Sequence, residues 1–322
     1  MNRIDRATKK ALRDRECKER ANGRRSTAPE LAARYDALFE TLTRAHCVPY
    51  ERMDWHEIAG AGMVEPAVRA NALEQKARRA LANYQPGIID GLFGLGQDRR
   101  RALAERVLEA AKKDAENYAR AKRAADVHNL DVGLAAAVLA LDIGAIEQAL
   151  KAHIPAAEFT PILEGLGVHM PAPGKLVVYV DCLEYDAIPD EAVEIGDTGR
   201  AVFVALPPEV RQEMHLANVC ATTLRVAVEV LAVVPLDMID VVARCFLVKG
   251  RGEAEQSPVV HVKVTHQALK AMDLRRLEPV SSITALGGRI DWEVERGFAE
   301  IRIDDLKLTA PKPPEASQTA AA

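Results

Sequence analysis

The chain has 322 residues, of which 48% are apolar and only 4% aromatic, and its formal net charge is −4. This length and apolar content predict a buried core, which excludes a fully disordered protein and a small disulfide-stapled one. The sequence contains no uncharged apolar run long enough to predict a membrane span, and its polar beginning is unlike a secretory signal, so we expect a soluble, cytoplasmic, bacterial protein.

The positive charge is concentrated at the start of the chain. Residues 1–27 hold ten lysines and arginines against four acids, whereas 28–169 and 170–322 are both net acidic. An acidic body is poorly suited to binding a phosphate backbone, but a short basic arm, partly helical or disordered, is suited to an anionic partner such as nucleic acid. A solvated tail without a partner would have the same composition. The candidate contact residues of the arm are Lys9, Lys10, Arg13, Arg24 and Arg25.

Residues 28–169 are predicted to form an all-helical domain. Apolar residues recur at spacings of three and four, and Thr27 or Ser26 is the expected N-cap of the first helix. Trp55 is expected to anchor a short second helix, and alanines line a long helix over 98–128. The predicted helices span residues 30–47, 54–59, 65–84, 98–128, 132–141 and 143–153.

Met170–Gly174 is predicted to link two domains, because it contains two prolines and a glycine and the apolar period changes there from about 3.6 to 2. Beyond it, residues 170–308 are predicted to form a mixed α/β domain and 309–322 a disordered tail. The expected order is β-β-α-β-β-α-β, which makes the whole chain α+β. The predicted elements are strands 175–185 and 200–206, helix 208–234, strands 238–248 and 259–265, helices 267–272 and 279–286, and strand 299–303.

The five cysteines are odd in number and widely spaced, which is typical of a reducing compartment. No CxxC pair, HExxH motif or Cys/His quartet is present, so we expect no metal site and no cofactor. Cys220 is a candidate nucleophile with His215, or with His261 and His266, as its base. However, five residues on one helix place His215 and Cys220 about 140° apart, which favours a buried, inert thiol.

Two further patterns resemble parts of known sites. Gly91, Gly94 and Gly96 before Asp98 are compatible with an anion cradle at a helix start, but they match neither a Walker loop nor a dinucleotide fingerprint, and a turn is the simpler interpretation.

Acidic residues near strand ends, together with a lysine, are compatible with a Mg²⁺-dependent nuclease site. Solvated strand ends are the alternative, because the spacing lacks an Asp…Glu-x-Lys motif. The residues are Asp181, Glu184, Asp186, Asp240 and Lys263.

The second half contains the stretches Ile188-Pro189-Asp190-Glu191 and Thr198-Gly199-Arg200, followed by Val-Cys-Ala-Thr-Thr-Leu-Arg-Val-Ala over 219–227, which leads into 231–235. These stretches resemble a widespread family of uncharacterised bacterial proteins, in which a small glycine-rich β domain often precedes a helical segment and an α/β module. The resemblance extends from about residue 30 to 302 and implies a shared fold but no activity. In this chain the basic arm replaces the leading β domain, and Thr222 stands where the family implies a second cysteine.

Together these observations predict a non-catalytic interaction or assembly protein that binds a protein partner or a second copy of itself. The alternative is a Mg²⁺-dependent enzyme that acts on nucleic acid and is recruited to it by the basic arm.

Overall fold

The computed structural model describes residues 27–65, 67–85, 96–249 and 253–302. It shows an α+β protein with helices in the first half and most strands later, as predicted. The basic arm with its five candidate contact residues, the glycines Gly91 and Gly94, and the tail 309–322 lie outside the described residues. The chain divides into two compact units: Met1–Met53 with Leu141–Ala322 forms the first, and Asp54–Ala140 the second.

The bounds of the elements are as follows. The helices are α1 (Ala28–Thr43), α2 (Trp55–Gly60), α3 (Ala72–Ala82), α4 (Gly96–Leu139), α5 (Ile143–His153), α6 (Ala156–Phe159), α7 (Pro208–Val233), α8 (His266–Ala271) and α9 (Pro279–Ala285). The strands are β1 (Leu163–Ala172), β2 (Lys175–Cys182), β3 (Glu191–Ile195), β4 (Ala201–Ala205), β5 (Met238–Lys249), β6 (Glu253–Thr265), β7 (Arg289–Ile290), β8 (Trp292–Glu293) and β9 (Gly297–Phe298).

A five-stranded mixed sheet with the order β1-β2-β5-β6-β7 forms the centre of the first unit. Only β2 and β5 run parallel; the other neighbours are antiparallel. The paired residues Val178 and Val241 are both fully buried, as expected where a parallel pair lies in the middle of a sheet. The connection between β2 and β5 contains α7, which packs across one face of the sheet.

Helix α7 is the core helix of the first unit. By length and composition it would pass for a membrane span, but 83% of its most apolar window is buried inside the protein. Its buried residues include polar ones, Asn218 and Arg225 among them, whose side chains bond main-chain carbonyls of Leu42 and Ala45. This degree of burial is typical of the core helix of a globular unit.

Strands β3 and β4 form a separate two-stranded antiparallel ribbon that packs against α1. The Phe203 ring lies edge-on to the Tyr35 ring, with their centroids 6.0 Å apart. Helix α1 begins after Thr27, one of the two N-caps expected, whose main-chain N–H donates to the Glu30 carboxylate at 2.9 Å. We define β3 and β4 with their connecting turn as the ribbon.

The second unit consists of α4, 44 residues long, and an antiparallel stretch of chain beside it. Asn129 bonds both main-chain groups of Val64, and Asp114 accepts the N–H groups of Leu73 and Glu74, so the earlier segment runs backwards along α4. The helices predicted over 98–128 and 132–141 are one continuous helix, because Gly133 costs a helix interior only about 1 kcal/mol and no proline interrupts it. The helix predicted over 65–84 begins only at Ala72.

The structure divides the chain differently from the predicted boundary at Met170–Gly174. That segment ends β1 and turns into β2: Pro171 lies in β1, while Pro173 and Gly174, the latter at φ 75°, form the hairpin turn. The predicted helical domain 28–169 therefore includes part of the sheet, and its central portion forms the second unit. The strand predicted over 299–303 is absent from its described part, residues 299–302. There the N–H groups of Ala299 and Ile301 each donate one hydrogen bond, to the carbonyls of Asp291 and Pro258.

Candidate functional site

One face of the five-stranded sheet packs on α7, and the other carries polar side chains; we call the second the polar face. Side chains alternate along a strand, so Asp240, Val242 and Arg244 of β5 share this face. The parallel register places Val177, Tyr179 and Asp181 of β2 beside them in that order. Val177, Tyr179 and Val242 form a buried apolar cluster between the charged residues.

Asp240 and His261 form a buried pair on the polar face. The His261 Nε2 lies 2.9 Å from the Asp240 Oδ1, and the two side chains are each 8% exposed. Burial alone would raise the pKa of Asp240, but the hydrogen bond and charge of His261 and the charges of Lys263 and Lys175 lower it below its ordinary value. A carboxylate held charged in this way contributes to the stability of the sheet.

Asp181 lies in a different pair on the same face. The Arg244 Nη2 lies 2.6 Å from the Asp181 Oδ1, and the guanidinium is 5.0 Å from the centre of the Tyr179 ring. Burial raises the pKa of Tyr179, and Arg244 partly offsets it. Burial and the charge of Asp181 raise the pKa of Glu164, which stands at a register shift in β1.

This geometry separates the acids of the predicted nuclease site. The cross-strand partner of Asp181 is Arg244, four residues along β5 from Asp240, a distance of about 13 Å. Asp240 and Lys263 do meet as neighbours on β5 and β6, whereas Glu184 accepts the Phe246 N–H at 2.8 Å. Asp186 is exposed in the short 3₁₀ turn Tyr185–Ala187. In the part of the chain that the structure describes, no three His, Cys, Asp or Glu residues are grouped to hold a metal ion.

The predicted thiol and imidazole candidates do not meet. Cys220 is fully buried, and burial, with a smaller effect of Glu278, raises its pKa to about 12. The His215 Nε2 donates to the Leu183 carbonyl at 2.9 Å, and His215 lowers the pKa of the Cys245 thiol rather than that of Cys220. His266 bonds the Tyr50 hydroxyl at 2.6 Å, and His261 bonds Asp240. These contacts favour the interpretation of Cys220 as a buried, inert thiol and not as a nucleophile.

The neighbouring thiols of Cys182 and Cys245 were not predicted from the sequence. They lie side by side because the parallel register pairs the residues just before them, Asp181 and Arg244. A hydrogen bond with Cys182 and burial raise the pKa of Cys245 well above its ordinary value, while His215 opposes the shift. Both thiols are almost fully buried, so this cluster belongs to the core.

Large apolar side chains are exposed in several places, and two groups of them lie on the second unit and on the ribbon. The second unit exposes Met63, Val64, Val68, Leu73, Leu108 and Leu130, with Val68 at 88% and Leu108 at 72%. The ribbon exposes Ile195, Val202, Phe203 and Val204, at 53%, 46%, 39% and 38%. The sequence signal for the ribbon is the uncharged run Ala-Val-Phe-Val-Ala of β4, whose partner strand β3 was not predicted.

Gly96, the one residue of the predicted glycine cradle that is described, is the first residue of α4.

Comparison of the chain with protein-family models, with curated proteins and with solved structures finds no match.

Proposed function

We propose that this protein is a non-catalytic bacterial assembly protein, which binds a protein partner or a second copy of itself in the cytoplasm. The observation that carries this proposal is the sparse core of the second unit. Helix α3 has no buried residue, and the buried residues of α4 are only Val107, Asp114, Asp131, Ala135 and Val138.

A long helix gains most of its stability in a protein from packing an apolar side against other elements. Here α3 covers only part of α4, because α3 is 11 residues long and α4 is 44. Single exposed apolar residues are ordinary on a protein surface. A unit in which two short helices, α2 and α3, accompany the long α4 and leave Leu108 and Val68 largely uncovered, however, gains stability when another helix or a second copy adds a layer.

The test is the size of the full chain in solution, measured by light scattering during size exclusion at several micromolar concentrations. We expect a complex larger than one chain, or a stable complex with a partner, and Leu108→Glu is expected to weaken it. Lys112→Gln is the matched control one helical turn away, since Lys112 is 80% exposed and forms only a 3.9 Å ion pair with Glu116. A strict monomer that captures no partner contradicts the proposal.

The Mg²⁺-dependent enzyme remains the alternative hypothesis. It requires Asp181 and Asp240 to share one cation, and their separate pairs with Arg244 and His261 do not support that arrangement. Cleavage of nucleic acid that needs Mg²⁺ and is lost in Asp181→Ala would favour this alternative over an assembly role.

A further inference from the structure

We propose that β4 pairs antiparallel with β4 of a second copy of this chain, about a twofold axis that passes beside Phe203. The inference rests on the proposed assembly function and names one surface for it. Within the described strands β4 has only one neighbour, β3, so its second edge is open.

The backbone of β4 has the correct groups at this edge. The Gly196 N–H donates to the Arg200 carbonyl at 2.9 Å, and the Leu206 N–H donates to the Asp190 carbonyl at 2.8 Å. Arg200 and Leu206 therefore direct their main-chain groups toward β3. Because alternate residues of an antiparallel strand bond opposite edges, Ala201, Phe203 and Ala205 direct their N–H and C=O groups toward the open edge.

The sequence of β4 is self-complementary about Phe203. It reads Ala-Val-Phe-Val-Ala in both directions, so a twofold axis at Phe203 places Phe203 opposite Phe203 and Ala201 opposite Ala205 of the second copy. These are the residues whose backbone groups are available, and they would exchange hydrogen bonds in pairs. Val202 then lies opposite Val204 of the second copy on the other face.

The side chains agree with this pairing. The run carries no charge, proline or bulge, the features that usually protect an edge strand from pairing. On the face toward α1, Phe203 lies against Tyr35, so two such pairs would meet at the axis. An apolar pair of strands with aromatic residues at the axis favours association over solvation.

The charges at the ends of the strand are also complementary. Arg200 lies beyond Ala201 at one end, and Asp190 is the cross-strand neighbour of Leu206 at the other. In the proposed dimer, Arg200 of one copy lies opposite Leu206 of the second copy, and about 10 Å, two strand spacings, from Asp190 of the second copy. Both side chains are exposed and on the same face, so two ion pairs can form across the interface.

The register makes a charge test possible, because position 202 of one copy faces position 204 of the other. We expect Val202→Lys with Val204→Lys to weaken dimerisation at least roughly tenfold, since like charges then face each other. Val202→Lys with Val204→Glu should restore it, because each lysine then faces a glutamate. Sedimentation analysis over a micromolar dilution series measures both, and circular dichroism checks that each variant is folded.

A cross-linking test does not require the protein to fold with charged residues at positions 202 and 204. Phe203→Cys is expected to form an intermolecular disulfide under mild oxidation, since paired residues across an antiparallel strand lie within disulfide range. Ile195→Cys is the matched control, since Ile195 is more exposed than Phe203, at 53% against 39%, but lies on β3. Cys17 and Cys47 are replaced by serine in both variants.

The outcomes separate this inference from the proposed function. Two results overturn β4 pairing and leave the assembly function in place. In the first, the wild type is a dimer and neither double variant at Val202 and Val204 changes its dissociation. In the second, Ile195→Cys forms the cross-link and Phe203→Cys does not. A wild-type chain that stays monomeric but captures a partner also overturns β4 pairing alone. A monomer that captures none overturns both.

Discussion

The His261 ring and the Asp240 carboxylate, 2.9 Å apart, form a buried hydrogen-bonded pair between two neighbouring strands of the central sheet. Neither residue comes from a loop: Asp240 is the third residue of β5, and His261 lies in the second half of β6. The pair therefore couples the ionisation of one carboxyl group to the stability of the whole sheet.

Asp240→Asn is expected to lower the free energy of unfolding by about 2 kcal/mol at neutral pH. The pKa of Asp240 is lowered on folding, so its charged form stabilises the fold above the ordinary pKa of 3.8, and this contribution is lost as the pH falls below that value. Urea unfolding from pH 7 to 3 should show the difference between wild type and variant shrinking toward acid. Asp237→Asn is the control, because Asp237 is 91% exposed in its ion pair with Arg52; a difference independent of pH would contradict this account.

Arg225 offers a second stability test. Its guanidinium lies 2.7 Å from both Glu158 and Glu229 and donates to the Ala45 carbonyl, and the side chain is 9% exposed. Arg225→Met is expected to reduce the free energy of unfolding by about 3 kcal/mol, since it leaves a half-buried carboxylate and a carbonyl without their donor. Glu158→Gln should cost less than about 1 kcal/mol, because Glu158 is 64% exposed. Equal effects of the two changes in urea unfolding would argue against a special role for the arginine.

Gly288 lies too close to its neighbours for any side chain. A Cβ atom there would lie 2.5 Å from the Ile283 Cγ2 and 2.8 Å from the Ile283 carbonyl oxygen. Gly288→Ala is expected to destabilise the protein by about 2 kcal/mol, visible as a lower Tm. Gly167→Ala, with open space around its Cβ, should leave the Tm unchanged or slightly raised. If both variants have the same Tm, the space between Gly288 and Ile283 is large enough for a methyl group.

Cys220 is expected to resist thiol reagents in the folded protein up to about pH 9. It is fully buried and its pKa is raised to about 12, so its reactive thiolate is scarce at that pH. Cys47 is partly exposed and should react at least roughly tenfold faster in a Cys17→Ser background, while Cys220 should react after unfolding in urea. Peptide mass spectrometry measures the rate at which each cysteine is modified. If Cys220 reacts as fast as Cys47 in the folded protein, the core around α7 opens.

The sequence predicted the elements whose signals are local. Two prolines followed by a long apolar run identified α7, and the apolar runs around a polar turn identified the hairpin of β5 and β6. Strand β1 was missed because Gly165, Gly167 and Pro171 lower its strand propensity, and it becomes a strand by pairing with β2. The turn that joins β1 to β2 was instead interpreted as a domain linker.

The candidate sites were less predictable, because they depend on register. The separation of Asp181 from Asp240 and the neighbouring thiols of Cys182 and Cys245 follow from which residues face each other on β2 and β5. A shift of one residue would reverse every side chain. The uncharged β4 was visible in the sequence, but its open edge follows only from the absence of a second neighbour among the described strands.

The discontinuous first unit has a consequence for synthesis on the ribosome. Helix α1 packs against β3 and α7, which are made only after the whole of Asp54–Ala140 has been translated. The inserted unit is therefore complete in the nascent chain first, while α1 waits for its partners. The apolar side of α1 is therefore uncovered, and open to aggregation, until these partners have been made.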